Sequence, residues 1–230
     1  MFDPDEPWNQ EFVRLSIAGH DVDYAFPEIT DYLREHWRTF EVFDRQAGKW
    51  ERISEEMLAT TRRPYLNSRI SESEGARLIE LGRTADWTLV REEDRLVDAD
   101  PTQPSGLYER AQSLYRHFAD SAGRGISTGK IHKVLHAMRP HFFPILDSRL
   151  RTLYRDEARV TATELRKAGV DVSSKFAYWA AIRKDLVSNA EALVELRDQL
   201  SDGDESPHQI AAEVLTDVRL MDMVSWRILA

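Results

Sequence analysis

A carboxylate, a glycine-bearing turn and a cluster of cations fall together between Ser121 and Arg155. The turn, Gly123 to Gly129, separates two stretches of helical spacing. A short hairpin in that setting offers backbone N–H groups to a phosphate, as helix N-termini and amide nests do. The next helix must end at Pro140, which cannot continue it, and Asp147 then stands where another helix should start. A carboxylate there serves as an N-cap and is stabilised by the helix dipole and the free N–H groups, which holds a negative charge in one place. From Arg124 to Arg155 the chain carries seven Lys or Arg against Asp147 alone, a local +6 in a chain of net −9, so the remainder sums to −15. Arg, the better bidentate phosphate ligand, far outnumbers Lys.

The succession Gly125-Ile126-Ser127, Ile131, Leu135 and then Pro144-Ile145-Leu146-Asp147-Ser148-Arg149-Leu150 resembles the helix-hairpin-helix DNA glycosylase superfamily of endonuclease III-like proteins, in register over both pieces. Arg219-Leu220-Met221-Asp222-Met223-Val224-Ser225-Trp226 looks like the last helix of its small members that lack an iron–sulfur module. The resemblance extends from roughly Ser54 to the end and is absent from the N-terminus. It implies a mainly α fold in which Gly125, Ser127, Thr128, Gly129, Lys130, Lys133, Ser148, Arg149 and Arg151 contact double-stranded DNA. It also implies an extruded base read from the loop residues Tyr65, Asn67 and Arg69 and from Tyr178, Trp179, Asp222 and Trp226.

Under that resemblance Asp147 is the catalytic residue. Glycosidic cleavage leaves oxocarbenium character on C1′, which a fixed carboxylate stabilises while a water attacks. Gly129 occupies the position of the bifunctional members' Schiff-base lysine, and the adjacent Lys130 points about 100° away on a helix, so strand cleavage by that route is not expected. Ser127 replaces the second hairpin glycine. The expected function is a monofunctional DNA glycosylase that removes a modified or damaged base, in repair or against foreign DNA. The alternatives are a hairpin module that binds DNA without chemistry and a helical interaction domain that has lost DNA. Asp222 is either a second carboxylate near Asp147 or a partner of Arg219 or Arg227.

Composition bounds these readings. With 230 residues, 42% hydrophobic content and six Trp, the chain can bury one large core. Without cysteine there is no disulfide, thiolate zinc site or four-cysteine iron–sulfur cluster. His132 and His136 share a helix face but lack a third ligand, so no metal and no cofactor is expected. No apolar run has the length of a membrane span, and the start, MFDPDEPWNQ, is acidic where a signal peptide is basic; a cytoplasmic protein is expected.

The elements that must position the site read as helices behind a small N-terminal β-hairpin. Thr30 caps DYLREHWRTF, and Phe40–Phe43 and Lys49–Ile53 flank a turn at Gln46–Gly48, giving an appendage over 1–53 ahead of a helical domain over 54–230. Ser71 with Glu74 forms a capping box for a helix that Gly82 should stop. Residues 83–104 read as an acidic connection. Further helices span roughly 105–119, follow Ser173 or Ser174, cover 190–200, open at Ser206-Pro207 and begin after Thr216, with a solvated acidic linker at 201–206.

Overall fold

Apolar residues recurring at three- and four-residue spacing make this chain helical, and a computed structural model describes residues 13–202 and 206–228. The acidic start and the middle of the acidic linker lie outside the described residues. Among the described residues there are twelve α-helices and one two-stranded sheet.

The sheet pairs β1 (Leu15–Ile17) with β2 (His20–Val22) antiparallel, Leu15 opposite Val22. Ala18 and Gly19 take positive φ between the strands. Asn189 works as a surrogate strand against it: its Oδ1 accepts from Ser16 N at 2.8 Å and its Nδ2 donates to Ser16 O at 2.8 Å. The hairpin expected at 40–53 is absent. Trp37–Val42 is helix α2, after α1 (Ala25–Glu35), and a 3-10 turn follows at Asp44–Gln46. Phe40 and Val42 alternate as a strand would, yet Phe40 and Phe43 are three apart, as on a helix. Burial of both on one helical face decides for the helix. Gly48 N bonds Ala137 O at 2.8 Å in place of a partner strand. Thr30 lies inside α1, not at its start, and its hydroxyl meets His208 Nε2 at 3.1 Å.

The helical expectations beyond residue 54 hold more closely. Ser54 caps α3 (Glu55–Thr61), and Ser71 with Glu74 forms the capping box of α4 (Glu72–Thr84). Residues 85–106 are irregular with two 3-10 turns. Then come α5 (Leu107–Ser121), α6 (Thr128–Met138), α7 (Ser148–Leu153), α8 (Arg155–Lys167), α9 (Ser174–Ser188), α10 (Ala190–Ser201), α11 (Ser206–Val214) and α12 (Asp217–Ile228). Thr216 caps α12 through Arg219 N at 3.2 Å. Ser173 is the N-cap of α9 but its side chain makes no capping bond.

The core gathers on Trp179, which is fully buried among Tyr108, Tyr115, Phe142, Phe143 and Phe176. Its indole N–H donates to His132 Nε2 at 2.9 Å, while His132 Nδ1 donates to Thr128 O at 2.9 Å. Burial lowers the His132 pKa to about 4, so the imidazole is a neutral relay locking α6 to α9. His136 is likewise pushed down to about 3 by burial and donates from Nδ1 to Phe143 O at 2.6 Å. Both are core histidines.

Gly82 does not end α4. A Cβ there would lie 2.8 Å from Ile53 Cδ1 and 3.0 Å from Ile53 Cβ, so the glycine lets the helix close on residue 53. Gly82→Ala should therefore destabilise the protein, the overpacking cost of about 1–3 kcal/mol outweighing a helix-propensity gain of about 1 kcal/mol. In an Ile53→Gly background, which removes every atom of that contact, the same substitution should become neutral or stabilising, as read by denaturant unfolding. Additive destabilisation in the double variant would refute the contact.

Candidate functional site

Asp147 is held by the segment before it. Pro144, Ile145 and Leu146 are buried, Asp147 N bonds Ile145 O at 2.8 Å, and the chain enters α7 with Asp147 extended. Its Oδ1 caps the helix, accepting from Arg149 N at 2.9 Å and Leu150 N at 3.0 Å. Oδ2 accepts from none of the described residues and is the oxygen available to a ligand. Asp147 lines a cavity of about 260 Å³, just below the usual range of about 300–1,000 Å³ for small-molecule pockets.

Three distant segments close that cavity. The loop 62–68 contributes Tyr65, Leu66 and Asn67, α12 contributes Arg219, Asp222 and Trp226, and α1 and α2 contribute Tyr32, His36 and Thr39. Thr39 Oγ1 donates to Tyr65 O at 3.2 Å, and the loop ends meet where Ser68 N bonds Thr61 O at 3.1 Å. Asn67 has a φ of 55°, a left-handed conformation that asparagine tolerates, and its amide oxygen takes the Arg63 guanidinium. Of the seven base-pocket candidates, Tyr65, Asn67, Asp222 and Trp226 therefore come together and Arg69, Tyr178 and Trp179 do not. Trp179 is core, Tyr178 faces a separate groove, and Arg69 is exposed outside the cavity.

Lys133 is the main surprise of the site. Read as a phosphate contact, it is 9% exposed and lines the cavity with Asp147 and Asp222. Its ammonium donates to Leu66 O at 2.5 Å. Burial lowers its pKa, against Asp147 and Asp222, which favour the charge, and together with Arg219, which opposes it. Position 129 does adjoin Asp147, since a Cβ on Gly129 would sit 3.6 Å from Asp147 Cα. Lys133 lies one helical turn further along the same face, so an amine enters the site after all. The i,i+4 step from Gly129 was the signal for it.

Other cations of the window turn inward. Lys130 pairs with Glu74 at 2.7 Å and donates to Gly125 O at 3.0 Å. Arg139 is buried, donating to Val90 O and Met138 O at 2.8 and 2.7 Å. Gly125, at φ +101°, lies so close to Glu74 that a Cβ would come within 2.5 Å of its carboxylate. A carboxylate and its counter-ion thus cover the Gly125 side of the hairpin. Ser127 caps α6, accepting from Lys130 N at 3.4 Å, and among the described residues no protein group accepts from the amides of Thr128 and Gly129. Ser148, Arg149 and Arg151 are exposed on α7; Arg149 stacks 4.8 Å over Trp226 and Arg151 lies 6.0 Å over Tyr178.

The cavity floor is a buried ion cluster. Arg219 Nε donates to Asp44 Oδ1 at 2.7 Å, Nη1 to Asp222 Oδ2 and Nη2 to the Tyr32 hydroxyl at 2.7 Å. Asp222 is thus both a partner of Arg219 and a second carboxylate of the same cavity as Asp147; the Arg227 side chain lies outside the described residues. Burial raises Asp222 to about 7, with Asp147 and Asp44 adding to the rise and Arg219 opposing it. Burial alone would lower Arg219, yet Asp44, Tyr32 and Asp222 hold it well above its usual value.

Two measurements test this floor. Because Asp222 is harder to ionise folded than unfolded, its stabilising contribution is complete below its ordinary 3.8 and is lost as pH rises through about 7. Asp222→Asn should flatten the fall in stability across that window; an unchanged slope would contradict the shift. Arg219→Met should cost about 3–5 kcal/mol, because it strands two buried carboxylates, and a loss below 1 kcal/mol would contradict the cluster.

Comparison with known proteins adds one assignment. Neither the curated proteins nor the solved structures yield a match to this chain. Residues 27–228 match a protein family described as a family of unknown function, DUF6308, and the chain belongs to that family.

Proposed function

We propose that this protein is a DNA glycosylase that hydrolyses the N-glycosidic bond of an extruded, modified or damaged base. The observation that carries the reading is that Asp147, with one carboxylate oxygen unpaired among the described residues, and Lys133 line one cavity together with Tyr65 and Trp226. In this reaction the C1′–N bond breaks, its electron pair leaves with the base, and water supplies the new C1′–O bond while the proton it releases ends on the departing base. Asp147 stabilises the cationic sugar and orients the water. Lys133 donates to the departing base, where negative charge develops, in a site whose low dielectric strengthens both effects. Trp226 and Tyr65 offer ring faces to the base. Excision from invading DNA belongs to the same reading, as does a cytoplasmic setting.

A second reading, a DNA-binding module without chemistry, is favoured by the capping role of Asp147. Asparagine caps almost as well as aspartate, so the two readings separate in Asp147→Asn. Under the enzyme reading this variant keeps its fold and DNA affinity while base release drops by two or more orders of magnitude, about 3 kcal/mol of lost transition-state stabilisation. Lys133→Met should lower release by at least about tenfold, the smaller loss expected for one donor. The assay is free-base release from duplexes bearing a panel of modified bases, followed by alkali to cut abasic sites. Equal release by wild type and Asp147→Asn would overturn the catalytic assignment. Strand cleavage without alkali would make Lys133 a nucleophile and overturn the hydrolytic one.

A further inference from the structure

With Lys130 and Lys133 committed inside the protein, the positive surface lies elsewhere. Arg149 and Arg151 stand exposed on α7, and Arg155, Arg159 and Arg166 stand exposed on α8. The last three line a groove of about 430 Å³ with Ala158, Ala162 and Tyr178. On a helical projection Arg155, Arg166 and Arg159 fall within about 40° of one another, whereas Asp156, Glu157 and Glu164 lie about 100–200° round the axis. The three arginines thus form one stripe clear of the helix's acids, while Lys167 lies on the acidic side.

We propose that this arginine-lined groove holds the phosphodiester backbone of the DNA strand leading away from the cavity. The proposal rests on the nucleic-acid reading above and adds the path of the strand. Continuity with the cavity supports it: Arg149 stacks on Trp226, which lines the cavity, and Arg151 lies over Tyr178, which lines the groove. Two arginines two residues apart therefore bridge the two sites. From Arg155 to Arg166 the stripe runs about 16 Å along the helix axis, a length over which three guanidiniums can each meet a phosphate of one strand. The planar guanidinium suits phosphate, and the small Ala158 and Ala162 let a backbone approach between the forks. Among the described residues one acid pairs with the stripe: Asp156 meets Arg159 at 3.0 Å, both side chains largely exposed, an interaction that a phosphate readily displaces. Glu164 is turned to Lys184 at 3.4 Å on α9. In a chain of net −9, this is a local positive track with a destination.

The test compares two triple variants of the full chain. One carries Arg155→Gln, Arg159→Gln and Arg166→Gln; the control carries Arg34→Gln, Arg83→Gln and Arg91→Gln, exposed arginines on other elements with the same charge change. Binding of fluorescent DNA, as duplex and as single strand, is titrated against salt. The groove variant should lose at least about tenfold in affinity at low salt, and the slope of log K against log salt should shrink by about 2–3, near 0.9 per phosphate released. The control should match wild type. Loss for duplex alone would assign the groove to double-stranded DNA, and equal loss for both probes to a single strand's backbone. An unchanged slope in the groove variant, with wild type binding DNA, overturns the proposal and leaves the glycosylase reading standing. Equal losses in both variants overturn it too, since net charge would then suffice. Groove-dependent binding by a wild type that releases no base supports the groove and removes the enzyme. No DNA binding by wild type overturns both.

Discussion

Arg219 is the constraint on which the candidate site depends. A guanidinium buried at 4% exposure must have its charge and its donors satisfied, and here Asp44, Asp222 and Tyr32 do so from three directions. Those partners come from the turn after α2, from α12 itself and from α1, so the cluster ties the first helices of the chain to the last. It also forms the floor under Lys133 and Asp147. A hydrophobic cluster of equal volume would hold the helices as well, but it would leave the cavity without its polar base. The cost of burying these charges is concentrated where the cavity needs them, and Asp222 Oδ1, buried without a partner among the described residues, is its remainder.

Helix α6 organises the rest through three buried polar contacts to three different segments. His132 bonds Trp179 on the α9 side, His136 bonds Phe143 O just before the Asp147 segment, and Lys133 bonds Leu66 O in the cavity loop. Each contact is made by a buried polar group whose loss would leave an unpaired atom, so the three together fix the helix in rotation as well as in position. Lys133 reaches its place because the core leaves its helix no freedom to turn. Asp147 follows from the same packing, through Pro144, Ile145 and Leu146 buried behind it.

The charge pattern was redistributed by folding. Seven cations in one window look like a continuous positive face when read in order. Three of them are instead used to satisfy a carboxylate or backbone carbonyls: Lys130 with Glu74, Lys133 with Leu66 O and Arg139 with Val90 O. What remains outward is Arg124 in the hairpin and the run through α7 into α8, which joins arginines beyond the window. A charge on a helix neutralises whatever packs beside it, and that neighbour is chosen by the fold.

The sequence by itself determined the helical character, the caps at Ser71 and Thr216, and Asp147 at a helix start, because each rests on residues within a few positions of one another, whereas it put the N-terminal hairpin at 40–53 and the fold puts it at 15–22. Periodicity, capping and turn chemistry are local and can be read in order. Where a segment satisfies both periods, as Phe40 to Phe43 does, local reading chose the strand and burial chose the helix. Only the tertiary structure decided that Lys133 enters the cavity, that Trp179 is core while Trp226 is wall, and that Glu74 covers the hairpin. Those outcomes depend on which helix lies against α6, and that is set by packing residues up to 187 positions apart, the separation that brings Tyr32 to Arg219. No motif within a short window records such a distance.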